Sequence, residues 1–308
     1  MEQLYQRDVY GQTLVELGKS NKDIVVLDAD LSSSTRTGLF AKQFPERFFN
    51  FGVAEQNMMA AAAGIASCGK TVFASTFAIF ATGRAWDQVR NTICYNNFNV
   101  KIVATHAGLS VGPDGASHQA LEDIALMRVI PNIKIIAPCD GPQTAEAIIA
   151  CVQAPGPFYV RLGRPKVPTI ENKGIFNLGK AQVLTEGKDV TIIACGIMVQ
   201  EALLAVLNLA KQGIKARLIN MHTIKPLDKE AVLSAAKETP GIVVCEEHTV
   251  TGGLASAIDE IVAENCPSKV VRLGVKNRYG QSGEPAELLK EYNLTSADIE
   301  KAVSTIIS

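Results

Sequence analysis

Several familiar chemistries are missing from this 308-residue chain. It has no GxxxxGK(S/T) loop to cradle a nucleotide phosphate and no GxGxxG turn for a dinucleotide. It also lacks HExxH for zinc and GxSxG for a nucleophilic serine. Nucleotide hydrolysis, simple dinucleotide redox, zinc proteolysis and serine-hydrolase chemistry all lose support. Charge of one sign is missing too: 30 basic residues face 31 acidic ones, a net charge of −1. That balance gives no basic field for nucleic acid or a membrane surface. The longest nearly apolar run, 58–69, is far short of the ~18 residues a membrane span needs. The N-terminus has no charged segment leading into an apolar one, so no secretory signal is expected. Histidine is scarce, with 4 in all. The 7 cysteines are scattered, without a CxxC pair or metal-type spacing, and read as buried thiols of a cytoplasmic protein. No repeat or low-complexity tract is visible.

What is present is enough apolar residue for real cores: 47% hydrophobic against 20% charged. The length allows about two domains. From residue 7 the chain alternates amphipathic helices with short, continuously apolar runs. Strands are expected at 23–28, 71–74, 100–105, 133–136 and 158–160, and a β-prone run at 48–51. Continuous apolar strands between helices predict a parallel, doubly wound sheet. The rhythm breaks at 164–187, which holds Pro165, Pro168, several charges and three glycines. We expect domain 1 at 1–165, a linker at 166–187 with a short strand near its end, and a second, smaller mixed-sheet α/β domain at 188–308. Strands of that domain are expected at 190–194, 216–220, 242–244 and 270–273.

Phe51-Gly52-Val53-Ala54-Glu55-Gln56-Asn57-Met58 sets a carboxylate where a strand hands over to a helix of small residues. A Glu in the first turn of a helix ordinarily complements the macrodipole. The same position is also the crevice at which open α/β sheets bind ligands. A second polar segment leaves the strand at 100–105. His106 and His118 bracket it, with Gly108, Gly112, Pro113, Asp114 and Gly115 between. Gly-Pro-Asp-Gly is plain turn chemistry. Two histidines and an aspartate converging at a strand end also form the constellation sought in an active site. The pair Gly252-Gly253 at a helix start suits close packing, or an anion.

Three segments of the first domain carry a resemblance. They are Gly-Val-Ala-Glu-Gln-Asn-Met, Ser-Thr-Phe-Ala-Ile-Phe and Thr-His-Ala-Gly-Leu-Ser-Val-Gly-Pro-Asp-Gly-Ala-Ser-His-Gln. Together they resemble the pyrimidine-binding domain of a transketolase. Glu-Glu-His-Thr-Val-Thr-Gly-Gly at 246–253 and Tyr-Gly-Gln-Ser-Gly-Glu-Pro at 279–285 resemble its C-terminal domain. The likeness covers nearly the whole chain, in the family's order. The family's N-terminal diphosphate-binding domain has no counterpart: no Gly-Asp-Gly followed by a metal-binding Asn occurs here. The chain therefore resembles the C-terminal subunit of a split, two-chain transketolase.

The resemblance implies thiamine diphosphate, whose chemistry belongs to the cofactor, and Mg2+ whose ligands lie on the partner chain. It implies no metal ligand in this one. Glu55 would hydrogen-bond the aminopyrimidine ring nitrogen, a charge-assisted bond, while Phe77 and Phe80 would wall the ring. Arg7, Ser34, His106 and Arg164 match the family's sugar-phosphate contacts. Asp114 would touch a sugar hydroxyl near the reacting carbon, and His118 would contact the donor's hydroxyl and carbonyl end and help proton transfer. Gly83 departs from the family, where an aromatic residue often stands three beyond Phe80. The implied activity is transfer of a two-carbon ketol unit between sugar phosphates, from xylulose 5-phosphate to ribose 5-phosphate or erythrose 4-phosphate. It needs an N-terminal partner subunit, and an α2β2 assembly in which this chain also self-associates, because the family's cofactor lies between protomers. The second domain shows no catalytic set. His248 reads as structural, and the domain is expected to support the dimer.

Three other readings stay open. A deoxyxylulose phosphate synthase fragment shares the Glu and the Gly-Xaa-Asp-Gly-Xaa-Xaa-His loop, but His106 disfavours it. A 2-oxo-acid dehydrogenase beta subunit has the same layout without needing Arg7, Ser34 and Arg164 at one phosphate. A non-catalytic scaffold would not need Glu55, Asp114 and His118.

Overall fold

The computed structural model describes residues 2–171 and 173–307. The first half contributes β1 (Gln3–Tyr5), β2 (Ile24–Asp28), β3 (Phe48–Asn50), β4 (Thr71–Phe77), β5 (Val100–Thr105), β6 (Lys134–Ile136), β7 (Phe158–Arg161) and β8 (Lys166–Pro168). The second contributes β9 (Gln182–Thr185), β10 (Val190–Ala194), β11 (Ala216–Asn220), β12 (Thr223–Lys225), β13 (Gly241–Thr249) and β14 (Lys269–Val275). The larger sheet has the order β12-β6-β7-β5-β4-β2-β3. Every pair in it is parallel except β12 with β6. The smaller sheet, β14-β13-β10-β11-β9, is parallel with β9 antiparallel at one edge. This is the two-domain α/β fold with a parallel first sheet and a mixed second one.

The apolar runs explain the layers. β2, β4 and β5 are buried along their whole lengths because helices cover both faces. On one face Met58, Met59, Ala62, Ala63 and Ala66 of the helix Glu55–Ser67 pack on Val25, Leu27, Val72, Ala74 and Ile102. Small residues let that helix lie close to the sheet. On the other face Tyr10 and Leu14 of the helix Gln6–Ser20 join Phe40, Val26, Phe73 and Val103. Each such large side chain contributes roughly 1.5–3 kcal/mol through burial.

Two pairings were not legible in the sequence. β8, inside the expected linker, pairs antiparallel with β1 and ties the chain start to the domain's end. β12, from the 188–308 stretch, adds to the edge of the first sheet, with Thr223 opposite Ile136. The seam continues as Ala137 N–H donates to His222 O at 2.8 Å and Gly196 N–H to Ala137 O at 3.2 Å. At Gly253 a Cβ would fall 2.1 Å from Glu246 Oε2, so the paired glycines serve close packing. The Glu246 carboxylate accepts from Leu254 N–H at 2.7 Å and Ala255 N–H at 2.9 Å, so the anion at this helix start is the chain's own.

Candidate functional site

Five parallel strands end on one edge of the first sheet, and each delivers a candidate residue there. Ser34 follows β2, Glu55 follows β3, Phe77 closes β4 and Phe80 follows it. The His106–His118 loop follows β5, and Arg164 follows β7. Arg7 joins them from the first turn of the helix Gln6–Ser20. Ligands of open α/β sheets bind at this carboxyl edge.

Local chemistry fixes each segment. Asp28, buried at the end of β2, accepts from Leu31 N–H at 2.6 Å, Thr35 Oγ1 at 2.7 Å and Thr37 Oγ1 at 2.8 Å. Those bonds wind 31–35 into the turn that carries Ser34. After β4 the chain takes π-helical turns at Phe80–Arg84 and Gln88–Cys94. Such widened turns often accompany functional sites. His106 itself sits in the left-handed region, at φ +59°. A non-glycine residue held there is the sort of backbone strain that clusters at ligand sites.

Glu55 opens its helix and is 2% exposed. Among the described residues its carboxylate is bonded by Arg84, whose Nη1 donates to both oxygens at 2.9 Å. The Arg84 guanidinium also lies over the Phe80 ring, 4.6 Å from its centroid. Phe80 and Phe77 are near parallel, 16° apart at 6.0 Å. Phe77 stacks on His106 at 3.8 Å, and His118 meets the Phe80 edge at 5.4 Å. Gly83 is exposed, and a side chain there would meet open space.

Beyond this aromatic wall lies a cationic corner. Arg7 Nη1 is 3.5 Å from His106 Nε2 and donates to Ser34 O at 3.5 Å. Arg164 donates to Val111 O and stands 3.9 Å from Asp114. Arg7 only donates, so Nε2 of His106 accepts and the ring proton sits on Nδ1, facing Thr105 Oγ1 at 2.8 Å. Burial first, then Arg7 and Arg164, hold the His106 pKa down at about 3. His106 is therefore neutral at physiological pH. Burial and the nearby Arg36 also lower the Arg7 pKa. An anion entering between Arg7 and Arg164 would relieve both.

The fold thus joins Arg7, Ser34 and His106 directly, His106 to His118 through Phe77 and Phe80, and Arg164 to Asp114. Glu55 connects to this set through Arg84. Sequence reasoning missed Arg84 and Asp28. Asp28 could have been noticed as an acid closing an all-apolar run. Arg84 had only its adjacency to Gly83 to recommend it. Among the described residues no cluster of three or more His, Cys, Asp or Glu is placed to hold a metal, and no helix is long and apolar enough to cross a membrane.

The architecture and the site edge are those of an α/β protein that binds its ligand at the carboxyl ends of parallel strands, and comparison with known proteins supplies the family. Residues 2–169 match the family described as transketolase, pyrimidine binding domain, and residues 179–299 match transketolase, C-terminal domain. The chain belongs to the transketolase family. It is 50% identical over 301 residues to a putative transketolase C-terminal section of Methanocaldococcus jannaschii, covering 96% of this chain and 94% of that one. It is 41% identical over 307 residues to a 6-deoxy-6-sulfo-D-fructose transketolase subunit of a Clostridium species, covering 99% and 95%. A solved structure titled split gene transketolase, inactive beta4 tetramer, superposes with TM-score 0.92 at 50% identity, covering 99% of this chain and 98% of that one. The family uses thiamine diphosphate. The residues here fit the pyrimidine end of that molecule: a buried carboxylate able to accept a charged hydrogen bond beside a wall of parallel phenylalanines.

Proposed function

We propose that this chain is the pyrimidine-binding and C-terminal subunit of a two-chain transketolase. With an N-terminal subunit it transfers a two-carbon ketol unit from xylulose 5-phosphate to ribose 5-phosphate or erythrose 4-phosphate. The observation that carries the reading is the joining of a buried carboxylate, an aromatic wall and two guanidiniums at one sheet edge.

Thiamine diphosphate, when bound, supplies the capacity to stabilise a carbanion. Glu55 accepts the hydrogen bond of the pyrimidine nitrogen, and Phe77 and Phe80 bury its ring and exclude water. Arg84 must first leave the Glu55 oxygens, since a planar cation on a phenylalanine face already occupies that carboxylate. Arg7 and Arg164, with neutral His106 and Ser34, grip the terminal phosphate. Guanidinium forks suit that task better than ammonium groups. Asp114 contacts a hydroxyl near the reacting carbon, and His118 moves a proton at the donor's hydroxyl and carbonyl end.

The same two guanidiniums would hold a sulfonate. The relative named for a sulfo-sugar is consistent with recognition of a terminal anion rather than of phosphorus itself. The diphosphate and Mg2+ sites fall to the partner chain, with two copies of each subunit. The inactive tetramer named for a 50% identical structure supports inactivity of this chain alone.

The test is Glu55→Ala in the assembled complex. Turnover should be lost while circular dichroism and assembly stay unchanged. Rates like those of the unmodified complex would remove Glu55 from the reaction and sink the cofactor assignment.

A further inference from the structure

Two sequence motifs of the second domain, 246–253 and 279–285, have no place in the reaction described above. Both end on the same object, the loop 106–119 of the first domain. Glu247 lies on β13, 3% exposed, and its Oε1 accepts the N–H of Ser110. Gly108 faces the same carboxylate at φ +84°, and a Cβ there would lie 2.3 Å from the Glu247 carboxyl carbon. The second motif closes the loop from the other side. Gln119 Nε2 donates to Gln281 O at 2.9 Å and to Leu109 O at 3.1 Å. Gly115 packs against Ser282, and Gly112 against Gly283 and Pro285.

The loop so gripped carries His106, Asp114 and His118. It has 3-10 turns at Leu109–Asp114 and closes on itself where Gly115 N–H donates to Gly112 O and His118 N–H to Gly115 O, and its Ser110 amide and its glycines rest on the second domain. We propose that Glu247 is a positioning residue: it reaches across from the second domain to hold the Ser110 amide, and with residues 281–285 it moulds the loop that presents Asp114 and His118 to the sugar. The role of the second domain in the site is that of a template for this loop. The proposal rests on the transketolase reading given above.

The main rival role for Glu247 is charge balance. Arg161 lies beside it, donating to the Glu247 backbone carbonyl at 2.8 Å while paired with Asp123 at 2.8 Å. Positioning requires reach and an acceptor. Charge balance requires a negative charge. Burial raises the Glu247 carboxyl to about 7, which fits a group valued for its acceptor.

Two conservative substitutions separate the roles. Glu247→Gln keeps length and acceptor but removes charge, and Glu247→Asp keeps charge but withdraws the acceptor by about one methylene. In the two-chain enzyme, Glu247→Gln should stay within about twofold of the unmodified KM for the ketose donor. Glu247→Asp should raise that KM about tenfold or more, since displacing site groups by about 1 Å costs up to 10²-fold. Thiamine diphosphate affinity should change less than the donor KM in Glu247→Asp, because Glu55 lies on another segment and the loop meets the aromatic wall only at His106 and His118. The reverse order, with Gln impaired and Asp normal, or equal kinetics in both, overturns the proposal.

Amide hydrogen exchange gives a readout that does not need activity. The Ser110 amide should exchange about tenfold faster in Glu247→Asp than in Glu247→Gln. Equal protection overturns the proposal even if the wild-type complex proves to catalyse another reaction. Absence of ketol transfer in that wild-type complex would count against the functional reading alone.

Discussion

Arg84 offers the sharpest quantitative prediction, because it should move two measurements in opposite directions. The perturbation is Arg84→Met, which keeps an unbranched, flexible stem but removes the cation that lies over Phe80. Glu55 is almost wholly buried, and Arg84 is the partner of both its oxygens. Nearly half of the Arg84 side chain (47%) faces solvent. Screening therefore keeps the pair well below the strength of a fully buried one, at about 1 kcal/mol. Losing it leaves a buried acceptor without its donor, for a total cost to the free chain of about 1–3 kcal/mol. Melting of the free chain should drop by about 2–4 °C per kcal/mol lost. On the proposed reading the bound state would pay no such cost, because the pyrimidine would replace the guanidinium. Thiamine diphosphate should thus bind the assembled variant about fivefold tighter per 1 kcal/mol of pair removed. Calorimetric titration of the complex and thermal melting of the free chain read the two effects. Weaker cofactor binding in Arg84→Met would show that Arg84 supports the cofactor and would refute the displacement argument.

Other consequences are simpler. Arg164→Ala should raise the KM for phosphorylated sugars more than it lowers kcat, because a remote anion contact mainly supplies ground-state binding; an unchanged KM would remove Arg164 from the site. Acid should destabilise the chain through its buried neutral histidines. Burial holds His106 near 3 and His222 near 4. Above about 6.5 neither state binds these protons, and below it the unfolded chain binds protons the fold refuses, so stability falls with pH. By pH 5 each histidine costs about 2 kcal/mol. Glu247, raised to about 7, works the other way between 7 and its unfolded value. The fall in urea-unfolding free energy from pH 7.5 to 5 should therefore be about 2 kcal/mol smaller in His106→Asn than in the unmodified chain. Equal falls would show that His106 is protonated in the fold.

Much of the framework could be read from periodicity. Continuous apolar runs such as Ile-Val-Val-Leu at 24–27, alternating with helical patterns, pointed to strands buried on both faces, whose loops meet at one edge. That reasoning placed Glu55 and the loop of His106, Asp114 and His118 at strand ends, while Ser34, Phe77, Phe80 and Arg164 entered the site only through the family likeness. Arg7 was recovered only through the family likeness, since nothing in its helix distinguishes it from a surface charge. β12 escaped because three residues carry no period, and its partner β6 lies about 90 positions earlier. The π-helical turns at Phe80–Arg84 share apolar spacing with an α-helix, so sequence pattern could not separate them. Arg84 was illegible for a related reason: the widened turn decides which way that side chain projects. Glu247 looked like one half of an acidic pair on a buried strand. Its meaning comes from Gly108 and Ser110, some 140 residues away, which only the packing of the two domains brings together.

The central claim is that the chemistry exists only when this chain meets a second one. A ketol-transfer assay tests it directly. It would contain thiamine diphosphate, magnesium, xylulose 5-phosphate and ribose 5-phosphate, with this chain alone, with a candidate partner carrying a diphosphate-binding domain alone, and with both. The account requires activity in the mixture and in neither chain by itself. Activity in this chain alone would contradict the shared site. Silence in the mixture, with pyruvate and glyceraldehyde 3-phosphate consumed instead, would transfer the function to deoxyxylulose phosphate synthesis.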